Sequence, residues 1–150
     1  MFLKNEAATE QLGAAFAKKI SPGFILFLKG ELGSGKTTFV RGFLRGLGYE
    51  KNVKSPTYTL IEEYDFSHFE VYHFDLYRVL EAEELTYIGI EDYFHPKSIV
   101  LIEWPEHGQG VLPPPSLTLE FKTIPKKEGR EVTIEAFSPS SQTLIESLSL

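Results

Sequence analysis

The chain has 150 residues, 42% apolar and 24% charged, with a formal net charge of −6 and no cysteine. One domain of that size buries a real core, and disulfides, thiolate nucleophiles and cysteine-ligated zinc are excluded. The acidic balance argues against a broad nucleic-acid surface, because sequence-independent phosphate affinity needs clustered Lys and Arg, and the densest basic cluster, Lys126, Lys127 and Arg130, is small. No apolar run approaches the roughly 20 residues of a membrane span. "MFLKNEAATEQ" lacks the basic-then-apolar order of a secretion signal, so a cytoplasmic protein without membrane contact is expected.

In chain order, residues 6–20 place Leu12, Ala15, Phe16 and Ile20 at helical spacing. Ser21-Pro22-Gly23 interrupts the chain, and "FILFLK" (24–29) has the uninterrupted apolar character of a strand buried on both faces of a parallel sheet. "KTTFVRGFLRGLGY" predicts a helix with Phe39, Phe43, Leu44 and Leu47 on one side and Gly48 at its stop. "YTLIEEYDF" (58–66) and "FEVYHFDLYRV" (69–79) predict two antiparallel strands joined by a tight turn. One or two short helices follow over 81–94, then a second buried strand in "KSIVLIEW" (97–104). The prolines of "LPPPSLTLEF" cannot join a ladder and precede a strand, which "REVTIEAF" would pair with, and 140–150 closes as a short helix. Helices mixed with strands point to an α/β domain with an antiparallel portion on one edge.

Gly30-Glu31-Leu32-Gly33-Ser34-Gly35-Lys36-Thr37 fits G-x-x-x-x-G-K-[ST] without a mismatch, between a predicted strand and a predicted helix. Gly33 and Gly35 free the backbone to wrap phosphates, and the helix behind offers unpaired N–H groups and a positive dipole end. Lys36 would reach the β and γ phosphates, and the Thr37 hydroxyl would ligate Mg²⁺. Such a loop asks for a carboxylate at the end of a second buried strand, which "SIVLIE" supplies as Glu103. Trp104 either covers the site or fills core. Thr57 in "SPTYT" sits where a γ-phosphate-sensing switch would, although a proline turn feeding a strand explains the same residues. In "YHFDLYR", Tyr72, Phe74 and Leu76 share one face, and His73, Asp75 and Tyr77 the other. Asp75 could position the attacking water or pair with Arg78, whereas His73 reads as structural.

No N-K-x-D guanine reader occurs, so adenine is the expected base. The four arginines (Arg41, Arg45, Arg78 and Arg130) do not cluster as a phosphotransferase lid. That disfavours a kinase and favours a slow ATPase whose missing charge is supplied in trans. The remaining alternatives are a P-loop kinase and a nucleotide-dependent interaction module built on the aromatic 55–78 region.

Together, "GELGSGKTT", "NVKSPTYTLIEEY", "YHFDLYR" and "LIEWPEHGQGVLP" resemble, in order and spacing, the TsaE (YjeE) family of bacterial P-loop ATPases. The likeness runs from about Glu6 to Arg130. It implies a single P-loop NTPase-like domain over 1–150, three-layered, with a mainly parallel central sheet and antiparallel additions. It further implies Mg²⁺-dependent ATP binding and hydrolysis in support of threonylcarbamoyladenosine formation at position 37 of tRNA. The partners would be a TsaD–TsaB pair, which would also hold the tRNA. By the same likeness, Gly33, Ser34, Gly35, Lys36, Thr37 and Thr38 match the phosphate loop, Thr57 the switch threonine, and Asp75 the carboxylate needed for hydrolysis. Glu103 matches the Mg²⁺-side carboxylate and Trp104 a tryptophan beside the site. Glu6, Thr9 and Arg130 fall where the family encloses the base and the rear of the nucleotide.

Overall fold

A computed structural model describes residues 1–149, so the last position of the predicted C-terminal helix lies outside the described residues. The strands are β1 (Phe2–Leu3), β2 (Phe24–Lys29), β3 (Ile61–Asp65), β4 (Glu70–Asp75), β5 (Ser98–Glu103), β6 (Leu117–Thr123) and β7 (Arg130–Ala136). They form one sheet in the order β1-β7-β6-β2-β5-β4-β3. The inner strands β6, β2, β5 and β4 run parallel. Antiparallel pairs close both edges, β3 on β4 at one and β7 on β6 with β1 beyond it at the other. The expectation of an antiparallel portion on one edge is thus corrected to two. The "REVTIEAF" hairpin partner and the aromatic hairpin flank the parallel strands from opposite sides, an order that periodicity does not encode.

Strand composition explains the layering. β5 lies between β2 and β4 and is buried at all six positions. Alternation sends Leu26, Leu28, Leu101 and Leu119 to one face and Phe74, Val100 and Ile102 to the other. Helices α1 (Glu6–Ala17) and α2 (Lys36–Gly46) cover the first face through Leu12, Phe16, Phe39 and Phe43. Phe16, Phe39 and Phe121 meet edge to face, with centroids 5.5 and 5.9 Å apart, the arrangement that ring quadrupoles favour. The second face is covered by α3 (Glu83–Tyr87) and two 3-10 turns, Ile90–Tyr93 and Pro105–Gly108. Helix α4 (Pro139–Ser147) adds Leu144 and Ile145 to the first face. The result is the three-layered α/β arrangement of a P-loop NTPase.

Both predicted aromatic strands are shorter than their apolar patterns. Tyr58–Leu60 belongs to a turn in which the Leu60 amide donates to the Pro56 carbonyl at 2.8 Å, and β4 stops at Asp75. The aromatic content of 76–79 serves a turn, with the Leu76 amide bonded to the Glu103 carbonyl at 3.0 Å.

Helix α1 lies against α2 at backbone distance. A β-carbon at Gly42 would overlap the Glu10 carbonyl, one at Gly13 would overlap the Phe39 carbonyl, and one at Gly46 would stand 2.7 Å from the Ala14 Cα. The glycines that weaken α2 by propensity allow this approach. It brings the N-termini of both helices to the same edge of the sheet, where Thr9 faces Gly35.

Candidate functional site

The carboxyl ends of β2, β4 and β5 are adjacent, with Leu28 beside Glu103 and Glu103 beside Asp75 in register. In open α/β sheets this is the edge where ligands bind, and a cleft of about 480 Å³ opens there. Its walls carry every residue that the family resemblance assigns to the site: Glu6, Thr9, Gly33 to Thr38, Thr57, Asp75, Glu103, Trp104 and Arg130.

One wall is the loop between β2 and α2. Gly33 (φ 74°) and Gly35 (φ 109°) take left-handed conformations, which glycine adopts at least cost. The Ser34 amide donates to the Glu31 carbonyl at 3.1 Å. The first-turn amides of α2 have no intrahelical acceptor. Arg130, arriving from β7, clamps the loop from behind: Nε donates to the Ser34 carbonyl and Nη2 to the Gly33 carbonyl, both at 3.0 Å. By holding the carbonyls outward, Arg130 leaves the amides to the cleft. The α1 N-terminus completes this wall, where Asn5 caps the helix by accepting from the Ala8 amide at 2.9 Å.

Lys36 is 4% exposed. Its ammonium donates to the Gly30 carbonyl and, at 2.9 Å, to the Glu31 carbonyl, and it lies 4.6 Å from the centroid of the Trp104 ring, within cation–π range. Burial pulls its pKa below the ordinary lysine value, while the charges of Glu103, Asp75, Glu106 and Glu31 push it back up. Trp104 reaches this position through a left-handed backbone (φ 57°), which costs a bulky residue about 1–3 kcal/mol. Its indole is packed on Tyr77 and His107 at centroid distances of 5.1 and 5.6 Å. It therefore both covers the site and contributes to the second core.

The opposite wall carries the carboxylates Asp75 and Glu103, toward which Thr37 reaches from the start of α2. Thr37 Oγ1 donates toward both carboxylate oxygens of Glu103, at 3.1 and 3.3 Å. His73 Nε2 stands 2.6 Å from Glu103 Oε2, so the residue that reads as structural in sequence touches a cleft carboxylate. Asp75 accepts from the Tyr77 amide at 3.0 Å and from Thr57 Oγ1 at 3.2 Å. The alternative pairing of Asp75 with Arg78 is not observed, because Arg78 lies over the Tyr58 ring at 4.4 Å. Leu60, left-handed at φ 72°, accepts the Asp75 amide at 3.0 Å. That bond ties the Thr57 turn to the end of β4.

Sequence reasoning missed Lys4, Asn5, Leu32, Glu128 and Gly129, which also line the cleft. Asn5 was legible as a cap before an apolar-periodic segment. Lys4 follows a two-residue strand whose existence depends on β7, and Glu128 and Gly129 are carried in by the β6–β7 hairpin. No local signal marks either.

The model of the family described as threonylcarbamoyl adenosine biosynthesis protein TsaE matches residues 3–132. A Haemophilus influenzae protein named tRNA threonylcarbamoyladenosine biosynthesis protein TsaE is 48% identical over 117 residues, 75% of this chain and 74% of that protein. A Bacillus subtilis protein of the same name is 41% identical over 142 residues, covering 95% and 86%. The crystal structure of Bacillus subtilis YdiB superposes with a TM-score of 0.84 at 34% identity, over 99% of this chain and 92% of that one. Family model, relatives and solved structure agree: the chain belongs to the TsaE family.

Proposed function

We propose that this protein binds Mg·ATP in the cleft and hydrolyses it slowly, in the cytoplasm, in support of tRNA threonylcarbamoyladenosine synthesis. That pathway is the one named for its relatives. The observation that carries the ATPase reading is the convergence of a complete phosphate loop, the Thr37–Glu103 pair and Asp75 on one cleft. The donor set fits Mg²⁺: a hydroxyl and a carboxylate are hard oxygen ligands. Among the described residues no group of three or more His, Cys, Asp or Glu gathers to hold an ion unaided, which leaves other positions to phosphate oxygens and water, as Mg²⁺ prefers. When bound, Mg²⁺ neutralises charge on the β and γ phosphates.

The chain's residues divide the remaining work. The loop amides and the converging helix N-termini hold phosphate. Lys36 exchanges its carbonyl partners for phosphate oxygens, a better acceptor for a buried ammonium. Asp75 accepts a hydrogen bond from the water whose oxygen attacks the γ phosphorus, so that ADP and inorganic phosphate leave. Thr57, bonded to Asp75, reports whether the γ phosphate is present. Glu6 and Thr9 border the base and ribose. The acidic balance of the chain leaves tRNA to partner proteins, which on the family resemblance would be a TsaD–TsaB complex.

The test is inorganic phosphate release from Mg·ATP with and without purified TsaD–TsaB. Stimulation by the complex is expected; turnover indifferent to it would remove the partnership from this reading. Asp75→Ala is expected to keep ATP affinity and lose turnover by about 100-fold, within the range for a proton-accepting group. An equal loss of affinity would make Asp75 structural.

A further inference from the structure

His73 is fully buried, on the face of β4 that also carries Asp75, and its register partner on β5 is Leu101. One ring nitrogen, Nε2, is 2.6 Å from Glu103 Oε2. The other, Nδ1, is buried with no hydrogen-bond partner. A proton on Nδ1 would be an unpaired buried donor, which costs about 1–3 kcal/mol; a bare lone pair there costs less. The geometry therefore puts a proton on Nε2, which donates to Glu103.

Glu103 is itself 3% exposed, and a buried carboxylate needs donors. It has two: His73 Nε2 and the Thr37 hydroxyl. With its proton committed to Glu103, Thr37 Oγ1 turns its lone pairs toward the cleft. We propose that His73 is a positioning residue for the divalent cation, fixing the Glu103 carboxylate so that Glu103 in turn orients the Thr37 hydroxyl. Partners of this kind behind a ligand are worth roughly 10- to 100-fold in metal affinity.

The inference rests on the Mg·ATP reading, and one experiment separates the two. Affinity for a fluorescent non-hydrolysable ATP analogue is measured in EDTA and across a Mg²⁺ titration, for the parent, His73→Leu, His73→Gln and His73→Asn. Gln carries an amide N–H near the position of Nε2; Asn is too short. His73→Leu and His73→Asn are expected to match the parent in EDTA and to need roughly 10-fold more Mg²⁺ for the same gain in affinity, with His73→Gln restoring most of it. Equal Mg²⁺ dependence in Gln and Asn, or an equal loss with and without Mg²⁺, would overturn the proposal. Should His73→Leu not fold, the Gln–Asn difference decides alone. A parent that gains no affinity from Mg²⁺ removes the Mg·ATP reading itself, whereas a responsive parent with unaltered variants removes only the role of His73.

Discussion

The two walls of the cleft are built by different means. The phosphate-loop wall is fixed largely by backbone packing: Gly13, Gly42 and Gly46 seat α1 and α2 at backbone distance away from the cleft, and Arg130, at the cleft's edge, holds two loop carbonyls. The Thr57–Asp75 wall is held by a side-chain hydrogen bond inside the cleft, Thr57 to Asp75 at 3.2 Å. It is backed by two left-handed non-glycine residues, Leu60 and Trp104. Beyond it the surface carries Tyr58 and Leu80, 82% and 86% exposed. Close packing resists displacement, whereas a hydroxyl–carboxylate bond exchanges readily with a ligand oxygen at a net difference of about 1 kcal/mol. On the proposed function, the first wall would hold the nucleotide and the second would respond to it.

Mutations on either wall test that contrast. Lys36→Ala strikes the shared centre and has the largest expected effect, a loss of turnover on the order of 100-fold or more, as for removal of a preorganised charge-stabilising donor. Phosphate release in a pure sample measures it, and unchanged release would contradict the whole site. Gly42→Ala attacks the packed wall without touching the cleft. Overpacking against the Glu10 backbone is expected to cost roughly 2–3 kcal/mol, or about 5–10 °C in Tm; a neutral melting curve would show that α1 can shift away. Arg130→Ala keeps the packing and releases the loop carbonyls, with about a 10-fold loss of nucleotide affinity expected, the scale of a charge-assisted hydrogen bond. If affinity holds, the loop is fixed by α2 alone. Thr57→Ala has the smallest effect, about 1 kcal/mol in stability, but it should erase any difference between ATP and ADP in protease sensitivity of the 55–60 turn. A difference that survives would place the γ-phosphate response elsewhere.

How much could be read in advance follows the same division. The loop at 30–37 was legible because its chemistry lies in eight consecutive residues and acts through backbone conformation. Glu103 was legible as the polar end of an apolar strand, a local contrast. Asp75 and Thr57 stood in patterns that also fit a solvated edge and a proline turn. Register sets Asp75 beside Glu103, and the turn at 56–60 brings the Thr57 hydroxyl to Asp75, two placements that those patterns do not contain. His73 was read only as structural, since nothing in "YHFDLYR" reveals that a carboxylate thirty positions later lies against its ring.

By itself, the sequence determined the longer helices, the buried strands and the loop motif at 30–37: apolar periodicity, glycine and proline placement and the loop spacing are short-range properties of the chain. The tertiary structure decided the strand order, the antiparallel strands on both edges, the clamp from Arg130 across 96 positions and the His73–Glu103–Thr37 chain of hydrogen bonds. Each of those depends on which strands become neighbours, and that is fixed by the burial of whole sheet faces.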